Sequence, residues 1–170
     1  MIAERSERRD GPRVYAFSTF FFTKLYRCGP GDIERWTQGA DLFSYGNLLV
    51  PMHSQDTSHW VLAVVDFRTP EMVIYDSLGQ REEHAESIDA LAQYPEEVSH
   101  LRDCELDWRG WHLYTRIVPL QKNTRDSAVF MCRYAQYLTR DAQTLFEQKH
   151  IPHFRNLTVY EILHHKLLPC

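Results

Sequence analysis

Two apolar runs dominate the hydrophobic pattern. Trp60-Val61-Leu62-Ala63-Val64-Val65 and Met72-Val73-Ile74-Tyr75 are rich in β-branched residues, and Arg68-Thr69-Pro70-Glu71 between them suits a turn. Together they predict a β-hairpin with His59 at the start of its first strand and Asp76 at the end of its second. Antiparallel pairing brings those two ends together, which can set an imidazole against a carboxylate. Packing explains a His-Trp at a strand start equally well, and an Asp before Ser-Leu-Gly is a common turn former. The hairpin alone leaves catalysis open.

The rest of the pattern supplies its surroundings. Leu48-Leu49-Val50 predicts a buried strand ended by Pro51, followed by the loop His53 to Thr57. Met1 to Asp10 reads as the last turns of a helix, and the Phe-rich stretch Val14 to Leu25 as a core helix starting at Ser18-Thr19. Gly29-Pro30-Gly31 breaks the chain, and Asp32 caps a short helix through Ile33, Arg35 and Trp36. Ile88, Leu91 and Ala92 predict a surface helix over Glu82 to Tyr94, closed by Pro95 and followed by an acidic stretch to Asp107. Trp108 to Tyr114 and Ile117 to Leu120 read as strands with a bend at Gly110. A polar loop, Gln121 to Asp126, runs into the buried helix Ala128 to Leu138, which leaves Ser127 at the junction. Thr158 to Leu168 predicts an amphipathic helix through Val159, Ile162, Leu163 and Leu167. There is no internal repeat or linker.

Composition narrows the class. A chain of 170 residues, 44% hydrophobic, fits one domain with a sizeable core. A net charge of -4 gives no support for a nucleic-acid groove or an anionic membrane surface. The apolar run Val61 to Val65 is far too short to span a bilayer, and the N-terminus carries no secretory pattern. Cys28, Cys104, Cys132 and Cys170 form neither a CxxC pair nor a disulfide framework, so a reducing intracellular compartment is expected. His150, His153, His164 and His165 lack companion ligands at a metal spacing, and neither a metal nor a cofactor is expected.

A helix start entered from a polar loop is a favoured place for a nucleophile, because free N–H groups and the helix dipole stabilise a thiolate or an oxyanion. Here that residue is Ser127, although a Ser at such a junction also serves as a simple cap.

Several motifs, in this order and spacing, closely resemble the catalytic domain of the sentrin/SUMO-specific proteases, the Ulp family. They are Arg35-Trp36-Thr37, Leu49-Val50-Pro51, His59-Trp60 through Arg68, Tyr75 through Gly79, Pro119-Leu120-Gln121, Asp126-Ser127 and Cys132-Arg133-Tyr134-Ala135. The resemblance runs from about Met1 to Leu168 and implies one peptidase domain over residues 1–170, with its start missing. The implied fold is α+β, a papain-like cysteine protease with a central mixed or antiparallel sheet flanked by helices. The implied function is a cysteine isopeptidase that cleaves after the C-terminal Gly-Gly of SUMO or another ubiquitin-like modifier. A monomer acting in the nucleus or cytoplasm is expected.

By the same resemblance, His59 is the general base, Asp76 its orienting carboxylate, Gln121 an oxyanion-hole donor and Ser127 the nucleophile position, where the family has Cys. Trp60 matches the aromatic roof of a channel for the diglycine tail. Arg35 and Phe17 align with the surface that contacts the body of the modifier. A tail without side chains gives an enzyme nothing to grip, so a narrow aromatic tunnel selects glycine by excluding anything larger.

Three departures bear on activity. A serine hydroxyl is far more basic than a thiol and stays protonated beside an imidazole, so turnover by this chain is expected to be weak or absent. Asn123-Thr124-Arg125-Asp126-Ser127-Ala128 lacks the glycines that flank the family's nucleophile, which points to natural divergence. The chain also opens inside the family's first helix, without a second channel tryptophan. A pseudoprotease that binds a ubiquitin-like modifier without cutting it is therefore the alternative, and a serine hydrolase a third reading. Cys132 as a substitute nucleophile and His53 as a rival base are less favoured, the first because burial is expected, the second because it lacks the adjacent tryptophan.

Overall fold

The computed structural model describes residues 12–31, 37, 39–54, 56–80, 84–101 and 110–168, without the side chains of residues 100 and 101. Arg35, the expected helical turns before Asp10, the short helix at Asp32 to Trp36 and most of the acidic stretch to Asp107 lie outside these residues.

Five strands form one sheet: β1 (Val14–Ala16), β2 (Asn47–Ser54), β3 (His59–Asp66), β4 (Glu71–Tyr75) and β5 (His112–Thr115). They lie in chain order, with β1/β2 and β4/β5 parallel and the two central pairs antiparallel. The expected hairpin is β3 and β4, closed by Asp66 opposite Glu71. Side-chain alternation explains its uninterrupted apolar runs. Val61, Ala63, Val65, Met72 and Ile74 face one core, where α1 (Phe21–Cys28) and α2 (Ala85–Leu101) cover the sheet. Leu62, Val64, Val73 and Tyr75 face another, covered by α3 (Ser127–Leu138) and α4 (Ile151–Leu163).

Several expected boundaries move, each for a physical reason. The Phe-rich stretch divides into β1 and α1, with Ser18 Oγ accepting from the Phe20 N–H just before α1. Pro51 does not end its strand, because β1 reaches only to Leu49 and a proline beyond that point can lie on an unpaired edge. Pro95 lies inside α2. The turn beyond it is held by buried Val98 and by Ser99 Oγ, which donates to Glu96 O at 2.6 Å. The helix is also a core element, contributing Ile88, Leu91, Tyr94 and Val98. Ile117 to Leu120 runs beside the sheet without joining it, and Ile117 is 82% exposed.

The last helix differs most. It begins at Ile151, and Val159, Ile162 and Leu163, expected on the packed face, are exposed. What turns inward is Glu161, 3% exposed, whose carboxylate meets Arg133 of α3 at 3.7 Å and accepts from the Leu168 N–H at 2.9 Å. Arg133 also donates to Gln136, to Phe154 O and to Thr158 Oγ1. A buried guanidinium demands a carboxylate more strongly than the sheet demands another leucine, so the ion pair sets the helix rotation.

A second polar lock fixes the start of α3. Asp126, just before the helix, accepts from Arg155 of α4, from Asn123 Nδ2 at 2.7 Å and from Gln148 Nε2 at 2.7 Å. Burial alone would raise the carboxyl's pKa, but these donors, Arg155 first, hold it below the usual range.

Glu161→Ala strands Arg133 and is expected to cost about 3–5 kcal/mol in urea unfolding, whereas Val159→Ala on the same helix should stay within about 0.5 kcal/mol. Because the folded-state pKa of Asp126 is depressed, its stabilisation is present above about pH 4 and is lost as pH falls through that lower value. Arg155→Leu should therefore raise the pH of the acid-unfolding midpoint, and its stability difference from the parent should shrink towards the acid end. Circular dichroism against pH checks both.

Candidate active site

Three elements converge at one end of the sheet. The chain enters β3 through Ser58 at φ +50°, an uncommon backbone for a residue with a side chain, and His59 follows as the first strand residue. Asp76 follows the last residue of β4 and leads a turn in which its carboxylate accepts from the Leu78 and Gln80 N–H groups, both at 2.8 Å. Gly79 completes the turn at φ +73°, with Leu120 closing over it. Continuing the β3/β4 register sets Asp76 opposite Val61, so His59 is its diagonal neighbour on the same face.

The two side chains meet: His59 Nε2 lies 2.6 Å from Asp76 Oδ1, with His59 5% and Asp76 0% exposed. An ionised carboxylate only accepts, so His59 Nε2 carries the proton and Nδ1 is left with a lone pair when the ring is neutral. Burial would raise the Asp76 pKa. Donors from His59, His84, Leu78 and Gln80 reverse this and hold it far below the ordinary carboxylate range.

Ser127 is the first residue of α3 and is buried. Its Oγ lies 3.3 Å from the Trp60 N–H, which donates to it, so the hydroxyl is tied to the residue next to His59. At a helix start the first backbone N–H groups point away from the helix, towards any oxyanion formed there. Gln121 is buried nearby, its Oε1 accepting from Ser77 Oγ at 2.6 Å and its Nε2 donating to Asn123 O. One Nε2 hydrogen is thus engaged inside the polar loop, and the second is the one an oxyanion could use.

Trp60 is half-buried on β3, its ring 4.4 Å from the His53 ring across the β2/β3 pair. His53 is thereby committed to Trp60, while the carboxylate is taken by His59. Phe17 lies 7% exposed inside the core, stacked on Phe21 at 3.8 Å and edge-on to Tyr94 at 5.9 Å, turned away from solvent. Cys132, expected to be buried, is exposed. It lies five residues into α3, about 7.5 Å along the axis from Ser127, because Phe130, Met131 and Tyr134 take the inward face of that helix.

The structure adds two groups that the pattern did not suggest. His84, immediately before α2, places Nε2 3.1 Å from Asp76 Oδ2, and Ser77 holds Gln121. His84 carries no sequence signal, and Ser77, though within the Tyr75 to Gly79 motif, has no local period that points to Gln121: both contacts cross loops.

Known proteins resemble this chain over nearly its whole length. The family model described as "Ulp1 protease family, C-terminal catalytic domain" matches residues 1–167. Mouse sentrin-specific protease 2 is 37% identical over 172 residues, covering 99% of this chain and 29% of that protein. The chain thus spans under a third of that curated relative. Among solved structures, the yeast Ulp1 C-terminal protease domain in complex with Smt3, the yeast ortholog of SUMO, superposes with a TM-score of 0.82 at 23% identity, covering 96% of this chain and 73% of that one. The Ulp1-like SUMO protease catalytic domain of Chaetomium thermophilum gives 0.84 at 22% identity, covering 99% and 69%. The fold is the one expected, a mixed sheet between helices, and the chain belongs to the Ulp1 protease family, matching its C-terminal catalytic domain.

Proposed function

We propose that this chain is a SUMO-directed peptidase domain whose base and orienter are intact and whose nucleophile position holds a hydroxyl. It would recognise the C-terminal tail of SUMO or a related modifier and cleave it weakly or not at all as it stands. The observation that carries this reading is the buried 2.6 Å contact between His59 and Asp76, at one end of the sheet with Ser127 tied to the adjacent Trp60 amide. The relatives support the substrate class: one is named a sentrin-specific protease and another is the Ulp1 domain bound to Smt3.

In this reading Asp76 holds the His59 tautomer that leaves Nδ1 as the base. A thiol at position 127 would pass its proton to Nδ1, giving a thiolate and imidazolium pair that the buried Asp76 stabilises. The thiolate attacks the carbonyl after the diglycine, and the Gln121 amide with the first N–H groups of α3 receives the oxyanion. His59 then returns its proton to the leaving amine, and water releases the modifier with a free carboxylate. Trp60, half-buried next to His59, would wall the tail's path. Ser127 cannot form that ion pair: a serine hydroxyl stays protonated beside the imidazole and would have to give up its proton only as it attacks, in a site built around a preformed thiolate.

A second reading, a binding module without turnover, is favoured by the loop before α3. Gln121 is engaged with Asn123, and residues 123–128 contain no glycine to let the backbone approach a tetrahedral intermediate. Four scattered cysteines, with Cys28 and Cys132 free, suit a reducing compartment such as the nucleus or cytoplasm.

Ser127→Cys separates the two readings. With a SUMO C-terminal fluorogenic amide, the substitution is expected to raise kcat/KM by about three orders of magnitude or more. No gain, with SUMO binding retained in a calorimetric titration, would establish the binding module instead.

A further inference from the structure

Asp76 serves two histidines, and the second has no part in the mechanism above. Its Oδ1 faces His59 Nε2 at 2.6 Å and the Leu78 N–H at 2.8 Å, while Oδ2 faces His84 Nε2 at 3.1 Å and the Gln80 N–H at 2.8 Å. A carboxylate offers about four acceptor sites, and with Asp76 fully buried all four are filled from within the protein. Removing any donor leaves a buried anionic lone pair without a partner, which the group relieves by rotating.

We infer that His84 is a positioning residue: its Nε2–H anchors Asp76 Oδ2 and so fixes the carboxylate rotation that presents Oδ1 to His59. Backbone donors set the carboxylate only relative to the turn that carries it, because Leu78 and Gln80 belong to that turn and move with it. His84 approaches from outside the turn, at the first residue before α2, an element anchored in the core by Ile88, Leu91 and Tyr94. The carboxylate is thereby clamped between a strand, through His59, and a helix, through His84. The imidazole is 8% exposed and borders a cavity of about 460 Å³ lined also by His53, Met52, Val61 and Gln80. Packing on that side is incomplete, so the hydrogen bond to Asp76 is what orients the ring.

This inference rests on the reading of His59 and Asp76 as base and orienter, so its test includes one arm that needs no turnover. In the chain as it stands, with 15N-labelled histidine, the His59 Nε2 proton is expected at low field in the NMR spectrum. His84→Leu should move it upfield or broaden it into solvent exchange, and His84→Gln, whose amide nitrogen can occupy the Nε2 position, should restore it. In the Ser127→Cys background, His84→Leu should lower kcat about tenfold to a hundredfold, the range seen when partners that orient metal ligands are removed, with KM unchanged and most of the loss recovered by His84→Gln. An unmoved His59 resonance in His84→Leu, or a Gln variant no better than Leu, would overturn the inference and reduce His84 to packing. Should His84→Leu not fold, His84→Asn takes its place. Its amide is too short to reach Asp76, so loss in Asn and retention in Gln support the clamp, and equal behaviour of the two overturns it. Absence of turnover in Ser127→Cys would sink the proposed peptidase function, leaving the NMR comparison to decide on His84.

Discussion

The Asp76 carboxylate is the constraint on which the site depends. A buried anion costs several kcal/mol unless every lone pair is met, and here the partners are two imidazoles and two backbone N–H groups. Meeting that demand fixes four things at once: the turn after β4, the His59 tautomer, the docking of the start of α2, and a proton-accepting Nδ1 beside β3. The charge is stable because the donors overcome the burial that would otherwise protonate the group.

Around this anion the fold places a helix start. α3 enters from a polar loop that Arg155, Gln148 and Asn123 pin to Asp126, so the position of Ser127 is set from α4 as well as from β3. The same α3/α4 contact carries the buried Arg133 and Glu161 pair further along. Two ion pairs, together with the apolar contacts of Ile151 and Phe154, thus hold the second helical layer. The contacts of His59 with Asp76, and of Asp126 with Arg155, Asn123 and Gln148, do not involve the atom at position 127. A change from sulfur to oxygen there alters the acidity of one group and disturbs none of these contacts.

Much of this was legible in the sequence where local period and burial agree. The apolar runs of β3 and β4, the Pro-bearing turn between them and the loop-to-helix junction at Ser127 all follow from spacing, and His59 and Asp76 follow from which strand ends a hairpin joins. Legibility failed where a distant contact outweighed a local rule. Pro51 and Pro95 read as stops, but an unpaired sheet edge excuses the first and the burial of Val98 carries α2 past the second. The exposed Val159, Ile162 and Leu163 read as a packed stripe because nothing local announces that Glu161 must turn inward to Arg133. His84 escaped for the same reason: its partner is eight residues back across a turn, and a lone histidine before a helix carries no pattern.

In the proposed mechanism His59 and Asp76 await a thiol at position 127, where the chain carries a hydroxyl. The Ser127→Cys variant, treated with SUMO carrying a C-terminal propargylamide and weighed by mass spectrometry, decides this. One added modifier per chain is expected, attached at position 127, and none on the parent with Ser127 or on the exposed Cys28 and Cys132. A variant that binds SUMO but gains no adduct at position 127 would contradict that mechanism.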